Sequence, residues 1–313
     1  MRDDKLIWVE KYRPKTIEEC ILPNSIKNQF KGFIESGDFP NLLFTGTAGT
    51  GKTTSALALC NELNYETVVV NASDERNIDL VRNKIKTFAS QSSLEGKRKA
   101  IILDEADGLN KQSAQPALRA AIEEYKRVKF ILTANYKNKL IDPIHSRTSV
   151  IAFNVQHKEK ETLSVKFLKR CFEILEQENI EYDKSVVGAV VKQYFPDNRR
   201  ILNELQRYSK GNNKIDKGLL SVMDACDVSD LLSACKNKKI NDIRQWVVNN
   251  IDIDAEVLFR EVYDQFYTEV APSSLPELII LIAKYMDQIS TVADQEINVM
   301  AFLMEVIGLI EFK

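Results

Sequence analysis

Gly46-Thr-Ala-Gly-Thr-Gly-Lys-Thr53 matches the phosphate-loop pattern G-x-x-x-x-G-K-[ST] at every position. An apolar run, Leu42-Leu43-Phe44, precedes it. The helix-forming stretch Thr53-Thr-Ser-Ala-Leu-Ala-Leu-Cys-Asn-Glu-Leu63 follows. A strand, a glycine-rich turn and a helix are the context that a phosphate cradle requires. The backbone N–H groups of Gly49, Thr50, Gly51, Lys52, Thr53 and Thr54 converge where the helix presents its positive end. Lys52 would reach the outer phosphates of ATP, and Thr53 would place its hydroxyl on Mg²⁺.

About fifty residues on, Ala100-Ile-Ile-Leu-Asp-Glu105 is an apolar strand ending in two carboxylates. Asp104 would hold the metal through its water shell, so Thr53 and Asp104 are the candidate metal residues. Glu105 would polarise the attacking water.

Strand signals recur at residues 41–45, 67–70, 100–103, 128–133 and 150–153, with helical periods between them. This pattern predicts an α/β fold, a parallel sheet with helices on both faces. Ile78, Val81, Ile85 and Phe88 give residues 74–90 the 3-4-3 spacing of an amphipathic helix. Residues 113–126 predict another helix, with Pro116 in its first turn.

From about residue 156 the strand signals stop. Residues 158–178 and 183–209 read as helices broken at 195–198. The polar stretch 210–217 reads as a linker, and 218–313 as helices needing a core of their own or partner chains. The predicted domains are therefore 1–155, 156–217 and 218–313, the last two helical.

Charge divides along the same line. Residues 218–313 carry 7 Lys/Arg against 16 Asp/Glu, a net −9, whereas 1–217 carry a net +7. Contact with a nucleic-acid backbone is thus expected in the first two thirds. The five cysteines show no C-x-x-C spacing and fit reduced, buried thiols. Only His145 and His157 are present, which excludes chemistry built on several histidines. The apolar runs fall short of a membrane span and the first residues do not read as a signal peptide. A cytoplasmic protein is expected, in the host cytoplasm if the chain is viral, with no membrane partner.

Further segments fall in order: Trp8-Val-Glu-Lys-Tyr-Arg-Pro14, Asn71-Ala-Ser-Asp-Glu-Arg76, Leu103-Asp-Glu-Ala-Asp107, Ala114-Gln-Pro-Ala-Leu-Arg119, Thr133-Ala-Asn135, Ser146-Arg-Thr148 and Pro196-Asp-Asn-Arg-Arg-Ile-Leu-Asn-Glu-Leu-Gln206. Together, over about residues 8–210, they resemble the small subunits of AAA+ sliding-clamp loaders, replication factor C-like and of the phage type. The resemblance implies an AAA+ domain at 1–155, a helical lid at 156–217 and an oligomerisation collar at 218–313.

It also implies roles. Val9, Glu10, Lys11, Tyr12 and Ile21 would line the adenine pocket. Asn135 would sense the γ-phosphate or its water, and Arg199 would reach it from the lid. Arg147 would act as a finger on the nucleotide of the next subunit, although Thr148 stands where the family usually has Cys. Arg76, Arg82 and Lys86, with the backbone of Asn77 and Ile78, would track DNA phosphates without reading sequence. Arg82 and Lys86 lie one turn apart. Leu94 would meet the clamp. The implied partners are other copies of the chain and a large loader subunit in a pentamer, a sliding clamp, and primer–template DNA. The implied activity is clamp-loading ATP hydrolysis. Two alternatives are a non-hydrolysing scaffold subunit and another AAA+ DNA motor.

Overall fold

A computed structural model of the chain describes residues 7–72, 78–93, 96–223, 228–250, 255–289 and 292–313. Two compact units divide it, residues 1–216 and 217–313.

The first unit opens with α1 (Trp8–Lys11) and α2 (Asn24–Ser36). Then β1 (Leu42–Thr45), β2 (Glu66–Asn71), β3 (Lys99–Asp104), β4 (Val128–Ala134) and β5 (Ser149–Ala152) alternate with α3 (Lys52–Glu62), α4 (Ile78–Ser90), α5 (Ala114–Glu124) and α6 (Asp142–His145). The five strands form one parallel sheet in the order β2-β3-β4-β1-β5. This is the α/β architecture that the apolar runs predict.

Each run is apolar at consecutive positions because both faces of the sheet are covered. Leu42 and Phe44 of β1, with Ala100 and Ile102 of β3, pack under α2 and α3 against Phe30 and Phe153. Their neighbours Leu43, Ile101 and Leu103 turn the other way, onto Ile85 of α4 and Leu118 and Ile122 of α5. Buried polar groups in this unit are paired at two structural positions. Lys99 Nζ donates to the carbonyls of Phe88 (2.7 Å) and Gln91 (2.6 Å), fastening the end of α4 to β3. Gln115, fully buried, donates to Leu109 O and Lys139 O and accepts from Ile141 N–H.

The lid continues this unit with α7 (His157–Gln177), α8 (Lys184–Tyr194) and α9 (Asn198–Asn212). Here two expectations are corrected. The segment after residue 156 is not free of strands, because β6 (Glu181–Tyr182) pairs in parallel with β7 (Lys214–Ile215). Residues 210–217 are accordingly no linker. α9 runs through Asn212, Ile215 is buried, and Asp183 N–H donates to Ile215 O at 2.9 Å. A two-residue strand carries too little periodicity to be told from a polar loop.

The second unit comprises α10 (Gly218–Met223), α11 (Ser229–Lys236), α12 (Ile240–Asn249), α13 (Ala255–Glu269), α14 (Leu275–Gln288) and α15 (Gln295–Leu309). It has its own core, with Phe259, Phe266, Phe302 and Val306 fully buried. Asp294 caps α15 by accepting the N–H groups of Glu296 and Ile297. Among the described residues no helix is long and apolar enough to cross a membrane.

Cys20, Cys60, Cys171 and Cys235 are buried and unbridged. Burial pushes their thiols up, to about 12, about 11, about 12 and about 12 respectively. These four should therefore alkylate at pH 8 at least about 10²-fold more slowly than a free cysteine in the native protein. All four should label in denaturant, and peptide mass spectrometry after iodoacetamide treatment checks both.

Candidate nucleotide-binding and hydrolysis site

β1 lies in the sheet interior between β4 and β5, so the turn that leaves its carboxyl end opens beside the end of β4, with the end of β3 one strand farther on. In register, Thr45 lies opposite Ala134, Phe44 opposite Thr133, and Asn71 opposite Asp104. Ligands of open α/β sheets bind in this crevice outside the carboxyl ends of the strands. A cleft of about 1100 Å³, including space open to solvent, occupies it here. Its lining includes Gly49, Thr50, Gly51, Lys52, Thr53, Thr54, Asp104, Glu105, Asn135 and Arg199. The tertiary structure thus brings those ten expected residues together.

Two glycines are required by conformation. Gly51 turns into α3 at φ 89° and Gly49 sits at φ 73°, both in the left-handed region. A Cβ on Gly49 would also collide with the Asp197 carboxylate of the lid. That close approach has a structural use. Asn198 N–H donates to Gly49 O at 3.1 Å, while Asp197 Oδ1 caps α9 by accepting Arg200 N–H at 3.0 Å. The helix that carries Arg199 therefore starts on the phosphate loop itself.

Lys52 is buried. Its Nζ donates to Gly46 O (2.7 Å), Thr47 O (2.8 Å) and Asn135 Oδ1 (2.8 Å). Burial lowers its pKa, and the carboxylates of Asp104 and Asp107 oppose that shift. Asp104 Oδ1 accepts two hydroxyl bonds, from Thr53 and from Thr133, each 2.6 Å. Thr133 Oγ1 also accepts Glu105 N–H at 3.0 Å. Glu105 itself stands at φ 55° and bends the chain into a short turn, Ala106–Gly108.

The hydroxyl of Thr53 and the carboxylate of Asp104 form a hard oxygen donor pair. Magnesium is commonly bound by one or two carboxylates together with substrate phosphates, not by an all-protein cage. No cluster of three or more His, Cys, Asp or Glu suited to a metal exists among the described residues. The donor set therefore fits Mg²⁺ arriving with a nucleotide.

Of the expected adenine residues, Val9, Tyr12 and Ile21 line the cleft. Glu10 and Lys11 do not. Glu10 pairs with Arg13, and Lys11 Nζ lies 2.9 Å from Glu178 of the lid. Tyr12 OH donates to the same Glu178 at 2.6 Å, and the backbone N–H of buried Trp8 donates to Gln206 Oε1 at 2.9 Å. The N-terminal arm is thereby fastened to the lid. Burial pushes the Glu178 carboxyl up, but bonds from Tyr12 and Lys11 more than offset it and leave a net lowering.

Sequence reasoning missed five lining residues of the lid, Phe167, Arg170 and Ile174 on α7 and Asn198 and Leu202 on α9. The 167-170-174 spacing is a single helix face and was a usable signal. It also missed Thr133, although Thr133 and Asn135 share one strand face by their spacing of two.

Arg147 does not line this cleft. Its Nε donates to Glu123 Oε1 at 2.6 Å and Nη2 pairs with the same carboxylate. Nη1 donates to Pro143 O (2.8 Å) and Ser146 Oγ (3.0 Å). Arg200 stacks over Tyr194, 4.2 Å from the ring centroid. Of the expected DNA contacts, Lys86 is exposed on α4. Arg76 and Asn77 lie outside the described residues, as do the side chains of Ile78 and Arg82; the clamp residue Leu94 lies outside them too.

Residues 42–155 match the ATPase family associated with various cellular activities (AAA), and residues 159–221 match the sliding-clamp-loader large subunit AAA+ ATPase lid domain. Among similar proteins, the sliding-clamp-loader large subunit of Escherichia phage RB69 is 39% identical over 85% of this chain and 84% of its own length. That of Enterobacteria phage T4 is 34% identical, covering 93% and 92%. The replication factor C small subunit of Methanosphaera stadtmanae is 34% identical, covering 91% of each. "Large" in the phage names and "small" in the archaeal one thus attach to similar chains. A mutant RuvB of Thermotoga maritima shares the fold with a TM-score of 0.54 at 16% identity, over 80% of this chain and 85% of that one. With a phosphate loop, a carboxylate-ended strand and a lid matched in order, the chain belongs to the sliding-clamp-loader family of AAA+ ATPases.

Proposed function

We propose that this chain is an ATP-hydrolysing subunit of a clamp loader, which spends ATP to open a sliding clamp and place it on primer–template DNA. The observation that carries the reading is the convergence of Lys52, Asn135, the Thr53–Asp104 pair and the lid's Arg199 on one cleft. Residues 1–155 serve as the nucleotide domain, 156–217 as the lid and 218–313 as the collar.

The adenine packs between Val9, Tyr12 and Ile21 and the lid face of Phe167 and Ile174. Gly49–Thr54 and Lys52 hold the phosphates. Thr53 and Asp104 would hold Mg²⁺, which would supply neutralisation of the phosphate charge. Glu105 orients a water in line with the γ-phosphorus and polarises it. The water oxygen bonds to the γ-phosphorus as the P–O bond to the β-phosphate breaks. The electrons of that bond stay on the leaving ADP oxygen, and the water's proton passes by way of Glu105 to the released phosphate. Asn135 holds the γ-phosphate or the water, and Arg199 closes from the lid.

Arg147 serves the neighbouring copy's nucleotide. Its place outside its own cleft supports this role. Exposed Ile280 and Ile297 of the acidic second unit support association through the collar. The assembly contains further copies and a companion loader subunit, as a pentamer. Arg76, Asn77, Ile78, Arg82 and Lys86 meet DNA phosphates, and Leu94 meets the clamp. The protein works in the cytoplasm, that of a host cell if it is viral. The intact Lys52, Thr53, Asp104 and Glu105 favour this over a non-hydrolysing scaffold.

The test is coupling. A non-hydrolysable ATP analogue should tighten binding of the assembly to the clamp of its own replication system by about 5–150-fold. Fluorescence anisotropy of a labelled clamp reads this. Clamp and primer–template together should also raise phosphate release above either alone. An affinity indifferent to nucleotide would dismiss the reading.

A further inference from the structure

Asp107 stands three residues beyond Asp104 and two beyond Glu105, the two carboxylates that the proposed chemistry uses. The left-handed turn at Glu105 folds the chain back, so Asp107 meets the end of β4. There its Oδ2 accepts two consecutive backbone N–H groups, from Asn135 at 3.2 Å and Tyr136 at 3.0 Å. Asn135 is the first residue past β4, and the strand's ladder no longer holds its backbone. Its side-chain oxygen makes the 2.8 Å bond with Lys52 Nζ. A carboxylate accepting successive N–H groups fixes the backbone direction at that point, and with it the direction of the Asn135 side chain.

We infer that Asp107 is a positioning residue for hydrolysis, holding Asn135 where its amide meets Lys52 and the reacting phosphate. The inference rests on the reading of Asn135 as the group that senses that phosphate. Asp107 acts through Asn135 and touches no reacting atom. It ties the β3 turn to the end of β4, so that the water-polarising carboxylate and the sensing amide keep one spacing.

The experiment compares Asp107→Ala, Asp107→Asn, Asn135→Ala and the double variant Asp107→Ala/Asn135→Ala in the full-length chain as purified in its assembly. Phosphate release gives kcat and KM for ATP, and thermal melting monitors the fold. Asp107→Ala should lower kcat on the order of 10- to 100-fold through misplacement of Asn135, with KM changed by less than about threefold. Asp107→Asn should recover most of the rate, because its amide oxygen still accepts both N–H groups. The double variant should be no slower than Asn135→Ala alone, since a residue acting through another adds nothing once that other is gone. Should the Ala variant not fold, Asp107→Ser, whose hydroxyl is one bond too short to reach, takes its place with the same expected loss.

Losses that multiply in the double variant overturn the inference while leaving the sensing role of Asn135 standing. So does a raised KM at unchanged kcat. Wild-type turnover in Asn135→Ala overturns both.

Discussion

Lys52→Ala is expected to lower ATP turnover on the order of 10²–10³-fold, the loss seen when a positioned donor to a transition-state oxygen is removed. Lys52 is buried, and its ammonium is already oriented by Gly46 O, Thr47 O and Asn135 Oδ1. A preoriented, buried donor needs little reorganisation as charge develops on the phosphate, which is why its removal costs far more than a surface ion pair would. The same substitution should weaken nucleotide binding, because this charge faces the bound ground state as well. Glu105→Gln separates the two effects. It should also abolish turnover yet leave nucleotide affinity within about threefold, because the role proposed for Glu105 is confined to the attacking water. Phosphate release with titration of a fluorescent nucleotide measures both. If neither variant slows turnover, the chain is a scaffold. Lys52→Met, which keeps the apolar stem but like Ala donates no hydrogen bond, separates the lost packing of the stem from the lost ammonium.

Arg147→Ala should reduce turnover by up to about 10³–10⁵-fold, the range for arginine fingers in the best cases, while each chain's own nucleotide affinity holds. The geometry motivates a test in trans. Arg147 is tied to Glu123, Pro143 O and Ser146 Oγ, away from the cleft of its own chain. Arg147→Ala chains retain Lys52, and Lys52→Ala chains retain Arg147. Co-assembled, two inactive variants should form some sites with both groups intact and regain turnover. A mixture as inactive as its parts would sink the trans assignment. The half-exposed Glu123 pair is no obstacle, because such ion pairs contribute about 1 kcal/mol or less and a nucleotide phosphate can displace the carboxylate.

Legibility followed the distance in sequence over which each feature is built. β1, the phosphate loop and α3 are contiguous, so residues 42–62 state the strand, the turn and the helix in one run. β3 and β4 were readable because burial on both faces forces consecutive apolar residues, as in Ile101-Ile102-Leu103 and Phe130-Ile131-Leu132. The lid's share was harder. Phe167, Arg170, Ile174 and Leu202 lie more than a hundred residues from the loop they face, and on a helix an inward residue looks like any core residue. Glu10 and Lys11 show the converse. They adjoin true lining residues, but α1 turns them toward Arg13 and Glu178. The β6–β7 pair escaped because two residues cannot display a period.

The sequence by itself determined the chemistry, since a phosphate cradle and its lysine are spelled in eight adjacent residues whose backbone geometry is local. It also determined the layered sheet, since the choice of apolar runs over alternation reflects how many faces are buried. Only the tertiary structure decided how the cleft is closed and aimed. Asp197 against Gly49, Glu178 on Tyr12, Thr133 on Asp104 and Asp107 on Asn135 are contacts between segments separated by 28 to 166 residues. Their partners are chosen by chain path and strand register, which no local pattern encodes. The outward placement of Arg147 is of the same kind: its residue type allows a finger, and only the fold shows that it does not face its own cleft.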